Sequence, residues 1–365
     1  MGTCQSGGGR QAVLGTGGAR HKEDEKNKSG YDPRHRIPLL SRPIWRTAAA
    51  SLKEPKLQSI SPYHVGTHAS RILETFGVAW PDGRSDPALH RSFFKLPDQG
   101  GEGDRAMKAV EIYEHFKSVG TWVDWEHSCD AFKAGDPETE VRRVAVAWQA
   151  TLPALRDAVA GGADLFITHE PTFYVHMDDE PRVFEHAFAR EKKRFIEHSG
   201  LVIYRCHDVW DRMPEIGILD SWARQLGFSG PPAASATFHA AYPFRGTLSD
   251  LAERVRQRTE PLGQQRVWIL GEPDVPVSRV ALGTGAITDF GTMLSLGADA
   301  MVVTDDGIAF WSAGCQAADS GVPLVIVNHA TAEEPGMRNL ARYLQSVFPA
   351  LEVRHIPMGC LYSAV

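Results

Sequence analysis

A short grammar written twice constrains the fold of this chain more than any other feature of its 365 residues. Val141-Arg142-Arg143-Val144-Ala145-Val146 reads as a strand, a helix follows over about 152–161, and Gly162-Ala163-Asp164 leads into the apolar run Leu165-Phe166-Ile167-Thr168. About 136 positions later, Val277 to Leu282 echoes the first strand, and Gly297-Ala298-Asp299 running to Val302-Val303-Thr304 echoes the second. A third element repeats as well: Leu201 to His207 beside Leu324 to His329. Each ends in a histidine with an acid four residues later, Asp211 and Glu333. Short apolar runs suit strands buried on both faces, and their alternation with helices implies largely parallel sheets with right-handed crossovers. The pattern predicts an α/β fold of two duplicated three-layer units, over 105–235 and 236–365.

Both units then continue alike. Pro214 and Pro335 stand where a first helical turn would tolerate them. After them Ile216, Leu219, Trp222, Ala223 and Leu226 form one apolar stripe, and Met337, Leu340, Ala341, Leu344 and Val347–Phe348 form its counterpart. A further helix is predicted over 107–119.

Residues 1–104 read differently. They open Gly-rich, pass through the mixed-charge run His21 to Lys26, and show no sustained period except a turn or two of helix over 69–78. Met1-Gly2 with Ser6 matches a bare myristoylation pattern that nothing else supports, and Met107 is a candidate natural start. Residues 1–106 carry a charge balance of +5 and the remainder −11. An acidic body argues against nucleic-acid binding, which needs cations for phosphate, and suits the binding of cations. Five scattered cysteines without a C-x-x-C argue against a disulfide framework and suit a reducing cytoplasm. No apolar run approaches a membrane span.

In parallel sheets, ligands gather beyond the carboxyl ends of the strands. There the chain places Thr168-His169-Glu170-Pro171, His207 with Asp211, Thr304-Asp305-Asp306, and His329 with Glu333. Imidazoles and carboxylates converging on one edge can hold two divalent cations, with a carboxylate bridging them. Taken singly, Asp211 and Glu333 would serve equally as helix caps; the repetition favours a site. His207 fits a proton carrier beside such a site, while Cys206 lacks the base and orienting group a nucleophile requires. His176, Asp178 and Asp179 are candidates for its mouth. Lys192-Lys193-Arg194 and Gly283-Thr284-Gly285-Ala286 offer alternative anion contacts, or simply a solvated helix face and a tight turn.

With Asp124-Trp125-Glu126, Asn328-His329-Ala330-Thr331-Ala332-Glu333 and the motifs above, residues 107–365 resemble the Nif-three-like dinuclear metal centre proteins, also known as GTP cyclohydrolase type 2 homologues. The resemblance implies a toroidal homohexamer enclosing two divalent ions per chain, with Zn, Mn, Fe or Mg as candidates. It implies His169 and His329 as ligands of one metal, Asp211 of the other, and Glu333 as the bridge. It also implies hydrolysis of a small molecule, with GTP or another purine nucleotide as the substrate class and His207 or Glu170 handling protons.

The chain departs from the family at Glu170, where a second histidine is usual, and over Asp306 to Phe310, where an acid is usually followed by histidine. If Glu170 ligates, one ion sees mainly Glu170, Asp211 and Glu333, a shell suited to Mg or Mn, while the imidazole-bearing position accepts Zn, Fe or Mn. The competing reading is a non-catalytic metal-binding scaffold, sensor or metal chaperone.

Overall fold

The computed structural model describes residues 107–363. The leader, its expected helix over 69–78 and the Met1-Gly2 pattern lie outside the described residues. In chain order, Met107–Lys108 (β1) leads into Ala109–Val119 (α1), and Phe132–Ala134 (β2) and Glu140–Val141 (β3) precede Arg143–Ala147 (β4). Leu152–Ala160 (α2), Leu165–Thr168 (β5), Ala187–Ser199 (α3), Val202–Arg205 (β6), Asp208–Asp211 (α4) and Ile218–Gln225 (α5) follow. Then come Ala234–Ala236 (β7), His239–Thr247 (β8), Leu248–Thr259 (α6), Trp268–Leu270 (β9), Pro276–Leu282 (β10) and Phe290–Ser295 (α7). Ala300–Thr304 (β11), Cys315–Ser320 (α8), Leu324–Val327 (β12), His329–Val347 (α9) and Glu352–His355 (β13) complete the chain.

The strands build a mixed α/β fold. One sheet has the order β13-β4-β5-β6-β2, parallel except for β2. A second has the order β7-β8-β10-β11-β12-β9, with β10, β11 and β12 parallel and antiparallel strands outside them, and β1 pairs antiparallel with β3 in a separate two-stranded sheet. The expected strands over 162–168, 201–207, 297–304 and 324–329 form, each trimmed by a few residues; 277–282 forms with one residue added, and 141–146 divides between β3 and β4. β13, from the far end of the chain, sits beside β4 in the first sheet.

Alternation along each strand puts successive side chains on opposite faces. Val144, Val146, Leu165, Ile167, Val202 and Tyr204 face α1 and α9, whereas Ala145, Phe166 and Ile203 face Leu155, Ala158 and Ile196 of α2 and α3. In the second sheet Val280, Val302 and Val325 pack with α6 and with Trp222 of α5, while Ala281, Met301 and Val303 meet α7 and α8. Helices α5 and α9 thus contribute to the cores of both sheets, Ile218 and Ala330 to one, Trp222 and Ala332 to the other. Their crossing is close at Gly336, where a Cβ would stand 2.6 Å from Ile218 Cδ1.

The two prolines do not occupy first turns. Pro214 lies ahead of α5, and Pro335 is inside α9, where its missing N–H cannot bond the carbonyl of Thr331. The reason is that α9 begins directly at the strand end, so His329 and Glu333 already fill its first turns. After β6 the chain instead breaks into the single turn α4 and then α5. Among the described residues no helix is long and apolar enough to cross a membrane.

Candidate metal centre

Strand register brings the candidates together. Ala147, Thr168 and Arg205 are level across β4, β5 and β6, so His169 and His207 leave the sheet side by side, their rings stacked at 4.4 Å and 17°. In the second sheet Thr304 pairs with Val327, which sets Asp305 and Asp306 next to His329. Asp211 and Glu333 then arrive one helical turn after His207 and His329, on the same face as those histidines.

The three imidazoles share one arrangement. Each is tied through Nδ1: His169 donates to the carbonyl of Cys206 at 3.1 Å, His207 to Asp208 Oδ1 at 2.9 Å, and His329 to Asp306 Oδ2 at 2.7 Å. Those bonds orient the rings and leave every Nε2 facing carboxylates, the nitrogen that a metal would take from a proton. His169 Nε2 lies 3.2 Å from Asp211 Oδ1 and 3.5 Å from Glu333 Oε2. His329 Nε2 lies 2.9 Å from Glu333 Oε2 and 3.6 Å from Glu170 Oε1, and His207 Nε2 is 3.9 Å from Glu170 Oε1. His169 Nε2 and His329 Nε2 are buried without a hydrogen-bond partner among the described residues. Orphaned imidazole nitrogens aimed at carboxylates fit a cation between them.

Of four possible donor groups among the described residues, two share Glu333: His169, Asp211 and Glu333 in one set, Glu170, His329 and Glu333 in the other; a further one is Cys129, His207 and Asp208. His169 and His329 fall in different groups, and each of these two groups offers one imidazole with two carboxylates. His207 groups with His169 and Glu170.

Electrostatics agree with a cation-binding cluster. Burial disfavours charge on His169, and His207 adds to that, yet Glu333 and Asp211 hold His169 above its ordinary value. Burial is likewise outweighed at His207 by Asp211 and Asp208, and at His329 by Glu333 and Asp306. Burial would raise the Glu333 carboxyl, but His329 and His169 hold it well below the usual carboxylate range.

Several supporting groups were not legible from sequence. Trp148 Nε1 donates to Glu333 Oε2 at 2.8 Å, fixing the shared carboxylate. Buried Asp130 caps α4, accepting from the amides of His207 at 2.7 Å, Asp208 at 2.8 Å and Val209 at 3.0 Å. Arg205 is fully buried, with Nε donating to the His169 carbonyl at 2.9 Å and Nη2 lying 3.9 Å from Glu170 Oε2. An arginine inside the apolar strand LVIYRC was the available signal; Asp130 had none.

The remaining candidates separate. The His176 ring meets His207 edge-on at 6.2 Å, and its carbonyl accepts from Arg205. Asp178 turns inward to accept the amides of Thr172 and Phe173 at 3.0 and 2.5 Å, closing its loop. Lys192 is buried and donates to the Thr172 carbonyl, so it is not part of an exposed anion patch. Gly285, at φ +65°, lies against the cluster: a Cβ there would stand 2.8 Å from His329 Nε2 and 3.2 Å from Glu333 Oε1. Burial pushes the Cys206 thiol well up, which disfavours a thiolate nucleophile.

Comparison with known proteins places these features in context. The family described as Duf34/NIF3 (NGG1p interacting factor 3) matches residues 107–359. A Chlamydia pneumoniae protein named GTP cyclohydrolase 1 type 2 homolog is 23% identical over 256 residues, covering 67% of this chain and 95% of the relative. A Clostridium perfringens protein of the same name is 22% identical over 234 residues, covering 62% and 82%. Among solved structures, protein ybgI, described as of unknown function, superposes with a TM-score of 0.58 at 21% identity, covering 69% of this chain and 98% of that one. A Staphylococcus aureus hypothetical protein gives 0.58 at 18% identity, covering 72% and 100%. At these identities the structural likeness speaks for the fold.

Proposed function

The chain belongs to the Duf34/NIF3 family, and from that premise we propose that it is a hydrolase with a dinuclear metal centre acting on a purine nucleotide, GTP being the first candidate. The observation that carries this reading is the shared carboxylate of Glu333 between two imidazole-bearing donor sets whose His169 Nε2 and His329 Nε2 have no hydrogen-bond partner. His169, Asp211 and Glu333 would hold one ion, and Glu170, His329 and Glu333 the other. Zn, Mn, Fe and Mg are the candidate ions. Such a pair supplies Lewis acidity to an oxygen substrate and makes water acidic at neutral pH.

The chain's own residues do the rest. Trp148, Asp306, Asp208 and the Cys206 carbonyl hold Glu333 and the three imidazoles in place. His207, backed by Asp208 and facing Glu170, is placed to carry a proton between the cluster and its surroundings. The relatives' names support the substrate class. The reading includes a ring of six copies, supported by Phe310 and Trp311, whose exposure of 66% and 83% is apolar surface a partner would bury.

A second reading has its own support. Asp211, Glu333 and His169 are almost wholly buried, and Glu170 replaces a family histidine, which favours ions that bind without turnover. Metal-reconstituted protein assayed against nucleotides, phosphoesters and small amides separates the two. Hydrolysis of a purine nucleotide that disappears in His169→Ala/Glu333→Ala supports the enzyme. Stoichiometric metal without turnover supports the scaffold, and turnover surviving the double substitution overturns the two-ion mechanism.

A further inference from the structure

The Asp124-Trp125-Glu126 motif has no part in the metal cluster, yet its neighbourhood is not idle. Trp122, Val123, Asp124 and His127 line a half-open hollow of about 280 Å³, bordered on other sides by Phe238 from the turn between β7 and β8, by Asp208 of α4 and by Arg212 just after it. Asp208 is common ground between this cavity and the cluster. Its Oδ1 accepts from His207 Nδ1 at 2.9 Å and its Oδ2 from Ser128 Oγ at 2.7 Å, so one imidazole ring stands between it and Glu170.

The lining favours a flat ring that both donates and accepts hydrogen bonds. Trp122 and Phe238 offer aromatic surface to a flat ring. Carboxylate oxygens only accept hydrogen bonds, and a guanidinium only donates them. Asp124 accepts from His127 Nδ1 at 2.9 Å on Oδ2 and from the Glu126 amide at 3.3 Å on Oδ1, and Arg212 donates from Nη1 to the Trp122 carbonyl at 2.7 Å; each keeps a further hydrogen-bonding position. A flat ring that engages both would present N–H donors to Asp124 and an acceptor to Arg212. Guanine has that edge, in N1–H, the 2-amino group and O6. Adenine presents an acceptor at N1, which a carboxylate repels. The hollow has room for a base.

We propose that this cavity is a guanine-binding subsite, with Asp124 accepting from N1–H and the 2-amino group and Arg212 donating to O6. It deepens, and rests on, the reading of a purine nucleotide substrate, supplying the base discrimination that the metal cluster lacks. Asp124 and Arg212 are exposed residues outside the ligand set, so substituting them leaves the metal donors intact.

Calorimetric binding of guanosine, inosine and adenosine to the metal-loaded full chain tests it without needing turnover. Guanosine is expected to bind about tenfold or more tighter than adenosine, with inosine between them. Asp124→Asn and Arg212→Gln should each abolish most of that preference while metal content and melting temperature stay unchanged. Failure of all three nucleosides to bind, equal binding of the three, or a preference that survives both substitutions would overturn the assignment. Nucleotide turnover indifferent to the base removes the guanine subsite and leaves the hydrolase reading. A guanosine preference in a protein that turns over no nucleotide does the reverse.

Discussion

The Nε2 of His329 stands 2.9 Å from Glu333 Oε2, one helical turn along α9, and the two atoms still make no hydrogen bond. The same oxygen accepts from Trp148 and lies 3.5 Å from His169 Nε2. Glu333 is therefore the one carboxylate on which both donor sets depend. Glu333→Gln is expected to remove both ions together, whereas Asp211→Asn should weaken one. Metal content per chain by mass spectrometry reads the difference directly.

Glu170 tunes which ion the second set prefers. With Glu170 and Glu333 beside His329, that set favours Mn or Mg more than an imidazole-richer site would. Glu170→His should shift competition between Mn and Zn toward zinc by about tenfold or more, an amount typical of ligand-sphere changes. Competitive loading followed by elemental analysis checks it.

Asp306 acts through His329 rather than on an ion. Removing its negative charge in Asp306→Asn weakens the bond that orients the imidazole, for an expected loss of about 10–100-fold in metal affinity. Because Asp306 is half-exposed, the fold should persist, and melting of the metal-free protein should change little.

The metal-free protein should respond to pH in a definite sense. Burial opposes charge on His169, His207 and His329, but neighbouring carboxylates raise all three above the ordinary value of 6.5. Groups raised on folding stabilise fully below their unfolded value, and that contribution is lost as pH climbs through the folded values. Melting temperature in a chelator should fall as pH climbs above the ordinary histidine value, whereas metal affinity should increase as protons cease to compete. A melting temperature that rises over this range in the chelator would contradict the assignment.

Gly336 tests the packing between the two cores. A methyl there would press on Ile218 Cδ1 at 2.6 Å and on its Cα at 3.1 Å. Gly336→Ala should cost about 1–3 kcal/mol through overpacking, despite the better helix propensity of alanine. Chemical denaturation measures it.

The strands were readable because their apolar runs are short, bounded by glycine and repeated. The i,i+4 acids were readable because each follows a strand-ending histidine. The partition of His169 and His329 between sets was not, since it depends on how two sheets face one another. Nor was Asp130, whose partners lie far along the chain, and Trp148 looked like any core aromatic. The proline positions misled for a local reason: α9 starts immediately at the strand end, so a residue placed near a first turn by analogy fell inside a helix.

The placement of β13 beside β4 bears on how the protein is made. During synthesis the β4 edge, with the amides and carbonyls that β13 will engage, emerges about two hundred residues before its partner. Completion of the first sheet must wait until the ribosome has delivered nearly the entire polypeptide, and a nascent chain stalled short of Glu352 would carry an open, adhesive flank.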